Sequence, residues 1–420
     1  MTKAQLKSAS ELYYLLGFVS LFLLAVVLAH GILSPRGLYL DFANFYDAGQ
    51  KAAAGETENL YDEFAMISGK APYGRMRFFG TPISAYAYAP LAAFPPVVAA
   101  ILFKIFSTLC ILVGLFLLYR RFGAFVTEED RPGFFFFFCA AVLLFQPFWT
   151  VLQVGGQSSS VAFLLFLIGL LWYERGSDVA AAIALSVVVC LKPAFASAAI
   201  AMFLMSTHKF RAGLLVSGVI GLGISLALVG WDIHQQFLGM VLSEGSSAPE
   251  RWNSSALAWL APIFYSDGDP EIYFKVRLIA SLALVTLWLS TAFFTRKRRQ
   301  NDAAARYFIF LICGMVALSL SPIVWSHYLM ILFIPVAQTI AFRRQMPRGA
   351  VILVLLAVLA GTIQNLLVVN QFLKLSFASE AWFSFAMSLF RSLTMMFVTA
   401  ALLIYARSFQ ISYRTVSSCS

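Results

Sequence analysis

Long apolar runs, separated by short clusters of charge, extend along most of the chain and predict membrane-spanning helices. The runs are continuous, whereas the strands of an outer-membrane barrel would alternate apolar and polar positions. The predicted helices cover residues 13–33, 86–118, 134–153, 158–173, 179–191, 194–206, 212–230, 273–294, 305–322, 327–342, 349–367 and 384–406. The pattern therefore predicts an all-α polytopic membrane protein with about 12 membrane helices.

Two of these predicted helices, 179–191 and 194–206, are too short to cross a hydrocarbon core of about 30 Å. They are separated by Lys192-Pro193, and a proline interrupts helical hydrogen bonding. We interpret the pair as a short helical hairpin with Lys192 near its tip, the alternative being one long kinked span. The hairpin places both termini and most Lys and Arg residues on the cytoplasmic side. The kinked span would put the basic cluster at 296–299 outside, against the positive-inside rule.

The composition excludes a soluble protein. Of the 420 residues, 60% are hydrophobic and only 12% are charged, whereas soluble domains carry roughly 25% charged residues. The net charge of +10 implies no nucleic-acid partner, because cytoplasmic loops of membrane proteins collect Lys and Arg. The five cysteines show neither zinc-ligand spacing nor a disulfide framework. We expect one integral membrane domain over residues 1–420, whose first apolar run remains as a span because no small-residue cleavage site follows it.

Two long loops, 34–85 and 231–272, lie on the outer face in this topology, and the segment 368–383 joins them there. Loops of this length with aromatic residues and mixed charge commonly carry function. Residues 42–54 of the first loop can form an amphipathic helix on the membrane surface. We therefore expect the two long loops to form the active-site face.

Three side chains at this face are candidates for chemistry, and each has a structural alternative. Asp41 can act as a general base on a hydroxyl, or cap the helix that begins near Phe42, and the two roles are compatible. His327 lies in an outer turn beside Tyr328, and a structural histidine would also explain it. Lys192 either faces a polar cavity or extends to the membrane interface.

The polar candidates converge on one face of the membrane. They are Asp41, Gln157, Lys192, Arg251 and His327. One carboxylate with several cations, at a boundary between lipid and water, suits an anionic lipid substrate with a hydroxyl-bearing partner. The Asp267-Gly268-Asp269 sequence has the spacing of a metal-binding carboxylate pair, but a turn before the next span explains it better, so we predict no metal.

Six short motifs, in their order along the chain, resemble glycosyltransferase family 87. That family contains polyprenyl-phosphate-mannose-dependent α-1,2-mannosyltransferases of the GT-C superfamily. The motifs are Asp41–Tyr46, Tyr86–Leu91, Gly156-Gln157, Lys192-Pro193, Asn253–Ser255 and Ser321–Tyr328. The chain departs from the family pattern at Ala89, where a second proline is usual, and at Ser158 and Ser159, where an asparagine is usual.

The resemblance implies a GT-C-type fold that transfers a hexose, in particular mannose, from a polyprenyl-phosphate-sugar donor to a glycolipid or glycan acceptor. It implies a bacterial inner-membrane protein with cytoplasmic termini, a periplasmic active site and no cofactor. Asp41 would be the catalytic base, with His327 beside it. The leaving phosphate is already a stabilised anion, so one base and several cations suffice, and a single displacement inverts the anomeric carbon.

Five further roles follow from the same resemblance. Lys192 and Arg251 would bind the phosphate, and Tyr88, Gln157 and Asn253 would bind sugar or phosphate. The alternative function is a transporter or flippase of a lipid-linked sugar. Such proteins often carry matched broken helices in two related halves, whereas this sequence shows one broken element, at 179–206.

Overall fold

The computed structural model describes residues 3–33, 41–61, 78–145, 147–148, 151, 157–244, 270–299, 302–321, 326–372, 389–390 and 392–404. The regular elements within these ranges are helices. They are α1 (Lys3–Leu33), α2 (Asp41–Ala54), α3 (Pro82–Tyr88), α4 (Pro96–Gly123), α5 (Arg131–Leu144), α6 (Ser159–Glu174), α7 (Asp178–Leu191), α8 (Ala196–Met205), α9 (His208–Glu244), α10 (Pro270–Arg299), α11 (Ala303–Leu320), α12 (Phe333–Phe342), α13 (Arg348–Phe372) and α14 (Ser392–Ile404).

Five helical segments among the described residues are long and apolar enough to cross a membrane. They are Ala9–Leu33, Pro96–Gly123, His208–Val241, Lys275–Lys297 and Ala303–Leu320. Shorter apolar helices, including α6, α7 and α8, pack among them. The prediction of an all-helical membrane protein is thus confirmed in its class, while the count of about 12 membrane helices stays a prediction.

The span predicted at 86–118 begins later than expected. The structure forms the short helix α3, then a 3-10 turn over Ala89–Ala93, and starts α4 only at Pro96. Proline lacks a backbone N–H and restricts the residue before it, so the prolines at 90, 95 and 96 divide the apolar run. Proline is favoured in the first turn of a helix, which is where Pro96 lies.

The helical hairpin around Lys192 is present. Helix α7 ends at Leu191, a 3-10 turn spans Pro193–Phe195, and α8 follows. The Thr207 hydroxyl, just after α8, donates a hydrogen bond to Asp178 at the start of α7. The chain therefore returns to the end of the bundle from which α7 departed, as a hairpin requires and a single kinked span does not allow.

Helix α9 breaks at Gly230, where the predicted span 212–230 ends. Gly230 has φ +78°, a left-handed conformation that glycine adopts without steric penalty. His234 bridges the break, since its Nδ1 donates to the Gly230 carbonyl at 2.7 Å and its Nε2 lies 2.9 Å from the Ser225 hydroxyl. Helix resumes beyond the break and continues to Glu244, so the start of the predicted loop 231–272 is helical.

A second, smaller hydrophobic core lies apart from the core of the helical bundle. It joins α2, α3, the start of α4 and the part of α9 around Gly230, with Phe42, Tyr61 and Tyr88 among its buried residues. The Tyr61 hydroxyl donates to the Gly80 carbonyl at 2.8 Å, and burial raises the pKa of this phenol, which keeps it a donor. We call α2, α3 and the 231–244 segment of α9 the cap.

Candidate active site

Lys192 lies at the tip of the hairpin and is only 5% exposed. Its amine donates a hydrogen bond to Oε1 of Gln157 at 2.5 Å. Gln157 is itself buried and stands two residues before α6, so the hairpin tip and the start of α6 meet at this bond. Because Pro193 ends the helical hydrogen bonding there, Lys192 adopts extended backbone and its amine reaches across to α6.

Two aromatic rings also lie near the Lys192 amine. Its Nζ lies 4.8 Å from the Tyr328 ring centroid and 5.9 Å from that of Phe45. A cation over an aromatic face is attracted by the ring quadrupole, more strongly when both are desolvated. Phe45 belongs to α2, so Lys192 connects the cap to the bundle.

His327 stands beside this lysine. It belongs to a 3-10 turn over Ser326–Leu332 and is only 2% exposed, with its ring 4.9 Å from that of Tyr328. His327 and Lys192 line the same cavity. The structure therefore brings together three of the residues that the sequence proposed for the site, Gln157, Lys192 and His327.

Tyr88 packs against Phe45, and Phe45 in turn lies beside Lys192. Its ring lies 4.8 Å from Phe45 and 5.1 Å from Phe103, centroid to centroid, and is fully enclosed in the cap core. These contacts hold the Phe45 ring in place beside the lysine. Substrate binding by Tyr88 stays a prediction.

Asp41 is the first residue of α2, one position earlier than the helix start expected at Phe42. It precedes Phe45 by four residues, which places both on one face of the helix. The role of Asp41 as base stays a prediction.

The other predicted ligands, Arg251 and Asn253, lie outside the described residues, as do Gly156 and the acidic pair at 267–269. Their roles also remain predictions.

Two neighbours of Lys192 were not assigned to the site from the sequence. Phe45 was expected only as part of an amphipathic surface helix, and its ring in fact covers the lysine. Ser159, the first residue of α6, lines the cavity with Lys192 and His327. The run of serines at 158–160 directly after Gln157 was the available signal, but serine is so common at helix starts that the signal is weak.

The opposite end of α6 has a different chemistry. With 16 residues this helix is about 24 Å long, and at its far end Arg121 pairs with Glu174. Beside it, Arg306 pairs with Asp178 and also donates to the Tyr173 carbonyl at 2.6 Å. A third acidic group there, Asp130, accepts from Arg344 at 2.8 Å and Arg343 at 3.4 Å. Four arginines at this end of the bundle are thus bound to carboxylates.

Comparison with known proteins gives one finding. The model of the family described as Glycosyltransferase family 87 matches residues 78–322, more than half of the chain. The matched region includes Tyr88, Gln157 and Lys192, while Asp41 and His327 lie outside it. No curated protein and no solved structure matches the chain.

Proposed function

We propose that this protein, which belongs to glycosyltransferase family 87 and is therefore a membrane glycosyltransferase, uses a polyprenyl-phosphate sugar as its donor. The sugar is a hexose, with mannose the first to test, and the acceptor is a hydroxyl of a glycolipid or glycan. One observation carries the choice of donor. The buried amine of Lys192 lies where the cap meets the membrane bundle, held by a neutral amide and two aromatic rings.

The surroundings of Lys192 favour a phosphate ligand. A cation inside a membrane protein is unfavourable unless it meets polar or charged partners. The amide oxygen and the ring faces orient the ammonium, and an ammonium attracts an anion such as a phosphate. In a lipid-linked donor that anion is the phosphate. The prenyl chain attached to the phosphate is apolar and packs against the neighbouring apolar helices.

Each residue of the site has a separate role in the proposed reaction. The acceptor oxygen attacks the anomeric carbon while the bond from that carbon to the phosphate oxygen breaks, and the hydroxyl proton passes to Asp41. Lys192 and Arg251 stabilise the departing polyprenyl phosphate. His327 orients the base or contacts the phosphate. The single displacement inverts the anomeric configuration, so a β-linked donor gives an α-linked product.

Gln157, Tyr88 and Asn253 complete the donor site as ligands of sugar or phosphate. This scheme uses neither a metal ion nor a cofactor. The substrates are the lipid-linked donor and the acceptor, within a shell of membrane lipid.

The orientation in the membrane follows from the charges. The end of the bundle with Arg121, Arg306, Arg343 and Arg344 is basic, which supports a cytoplasmic location by the positive-inside rule. The cap and Lys192 then face the periplasm of a bacterial inner membrane, and both termini are cytoplasmic. The outer loops 34–85 and 231–272 contribute the cap and, with it, the active-site face.

A transfer assay with purified protein in detergent tests the proposal. Radiolabelled polyprenyl-phosphate-mannose and a nucleotide-mannose are offered separately, with extracted envelope glycolipids as acceptors and an Asp41→Asn variant as control. We expect label to move only from the lipid-linked donor and only with Asp41 intact. Transfer from the nucleotide-mannose contradicts the proposed donor. Transfer from the lipid-linked donor by the Asp41→Asn variant contradicts the role of Asp41 as the base.

If mannose is not transferred, other polyprenyl-phosphate hexoses are tested in the same assay. If no sugar is transferred from any of these donors, the proposed donor class is contradicted. The transporter alternative is then examined by the movement of a lipid-linked sugar across reconstituted vesicles without product formation, although membership of a glycosyltransferase family favours the transferase.

A further inference from the structure

The N-terminus of α6 lacks the side-chain cap that its sequence would normally provide. Ser158 stands at the capping position, where serine usually accepts a hydrogen bond from a first-turn N–H group. Its hydroxyl makes no such bond and donates instead to the Leu191 carbonyl, at 3.3 Å. Ser158 therefore does not cap the first-turn amides of α6, at the helix end that attracts anions.

The hydroxyl of Ser159 is the second, independent observation. Ser159 is only 4% exposed, and its Oγ has no hydrogen-bond partner within the described part of the chain. A buried hydroxyl without a partner is unfavourable, so one that borders a cavity favours a ligand there that can accept a hydrogen bond. Ser159 lines the cavity that Lys192 and His327 also line.

The polarity of this cavity limits which chemical groups it can bind. Its polar features include a helix N-terminus, an ammonium group and a hydroxyl, which donate to or attract negative charge. The remaining walls, such as Phe163 and Phe195, are apolar. An anionic group fits this combination of hydrogen-bond donors, positive charge and apolar walls.

We infer that Ser159 and the first turn of α6 form, with Lys192, the binding site for the phosphoryl group of the lipid-linked donor. This inference rests on the proposed function and deepens it by adding a binding residue. The uncharged hydroxyl of this residue donates a hydrogen bond to the phosphate. The hydroxyl of Ser159 binds a phosphoryl oxygen in the donor complex, and the same oxygen stays bound as the phosphate departs.

Binding of farnesyl phosphate tests the inference without requiring turnover. The full-length protein in detergent is titrated with farnesyl phosphate and with farnesol, which has the same chain without the phosphate. Ser159→Ala is the test variant, and Ser160→Ala is its matched control. Ser160 is fully buried and its Oγ also lacks a described partner, but it does not line the cavity.

We expect Ser159→Ala to bind farnesyl phosphate about tenfold to a hundredfold more weakly, as expected for loss of a hydrogen bond to a charged group. Farnesol binding should not change, Ser160→Ala should match the wild type, and Ser159→Thr, which keeps the hydroxyl, should retain most of the affinity. The thermal stability of each variant without ligand shows that the fold is intact.

The outcomes separate the inference from the proposed function. Preference for farnesyl phosphate in the wild type together with an unchanged Ser159→Ala overturns the role of Ser159 and leaves the donor class standing. Equal losses in the Ser159 and Ser160 variants also overturn it, because the effect would then come from packing. A wild-type protein that does not distinguish farnesyl phosphate from farnesol overturns the proposed donor and this inference with it.

Discussion

The two ends of α6 show two ways to keep a positive charge inside a membrane protein. At the C-terminal end, arginines are matched with carboxylates, as in the pairs Arg121–Glu174 and Arg306–Asp178. At the N-terminal end, the described contacts of Lys192 include a neutral amide and two aromatic rings. A carboxylate cancels the charge of its arginine and stabilises the fold, whereas the amide and the rings beside Lys192 orient an ammonium that we propose binds an anionic ligand.

This difference predicts opposite responses to mutation, since loss of a cation should affect stability at one end and activity at the other.

Arg306→Ala should have the largest effect. It leaves the buried carboxylate of Asp178 without its described cation, and breaking a buried pair in this way costs about 3–5 kcal/mol of stability. Thermal unfolding in detergent, followed by circular dichroism, measures the loss. The double variant Arg306→Met with Asp178→Asn removes both charges and should recover most of the stability, and a double variant as unstable as the single one would refute the role of the pair.

Lys192→Met should act on catalysis. Methionine keeps much of the side-chain length and removes the charge, so we expect kcat/KM for the donor to fall by about 10²–10³-fold, comparable to loss of an oxyanion-stabilising donor. The unfolding temperature should stay close to that of the wild type. Steady-state transfer assays and thermal unfolding of the same preparation provide both values. A variant that unfolds as readily as Arg306→Ala would show that the two ends do not differ.

Gln157→Leu should have an intermediate effect. The amide oxygen of Gln157 orients the Lys192 ammonium, and a hydrogen bond to a charged group contributes about 1.5–3 kcal/mol. We expect the donor KM to rise about tenfold or more, with a smaller change in kcat. Gln157→Glu is the matched control, since it keeps the bond but cancels the charge and should weaken donor binding further. Tighter donor binding by the Glu variant would contradict a phosphate at this position.

Tyr328→Leu should have the smallest effect. It removes the ring 4.8 Å from the amine, and cation–π contacts contribute about 0.5–2 kcal/mol. We expect donor affinity to fall by roughly two- to thirtyfold, with Tyr328→Phe close to the wild type because the ring is retained. Equal losses in the Phe and Leu variants would show that the hydroxyl matters and the ring face does not.

Much of the helical architecture could be predicted from local sequence. Apolar runs located the spans, and Lys192-Pro193 located the hairpin, because a proline and a short apolar segment have strong local consequences. The start of α4 was misplaced because hydropathy does not register that the prolines before Pro96 divide an apolar run. Helix beyond Gly230 was also not expected, since it is stabilised by packing in the cap core.

The site was only partly predictable. Gln157, Lys192 and His327 could be placed at one face of the membrane by counting charges and spans, because each crossing reverses the direction of the chain. The contact of Phe45 with the lysine and the unpaired hydroxyl of Ser159 could not be foreseen. Both depend on how α2, the hairpin tip and α6 come together, and apolar packing in a membrane carries no periodic signal that identifies partners.

The sequence by itself determined the membrane class, the approximate course of the chain and the family resemblance, since these follow from long apolar runs, the distribution of charge and short motifs in order. Only the tertiary structure decided which arginines are bound to carboxylates and that Lys192 contacts an amide and aromatic rings. The physical reason is that the state of a buried charge depends on the groups within a few ångströms of it. Here those groups come from segments as distant along the chain as Phe45, Gln157 and Tyr328.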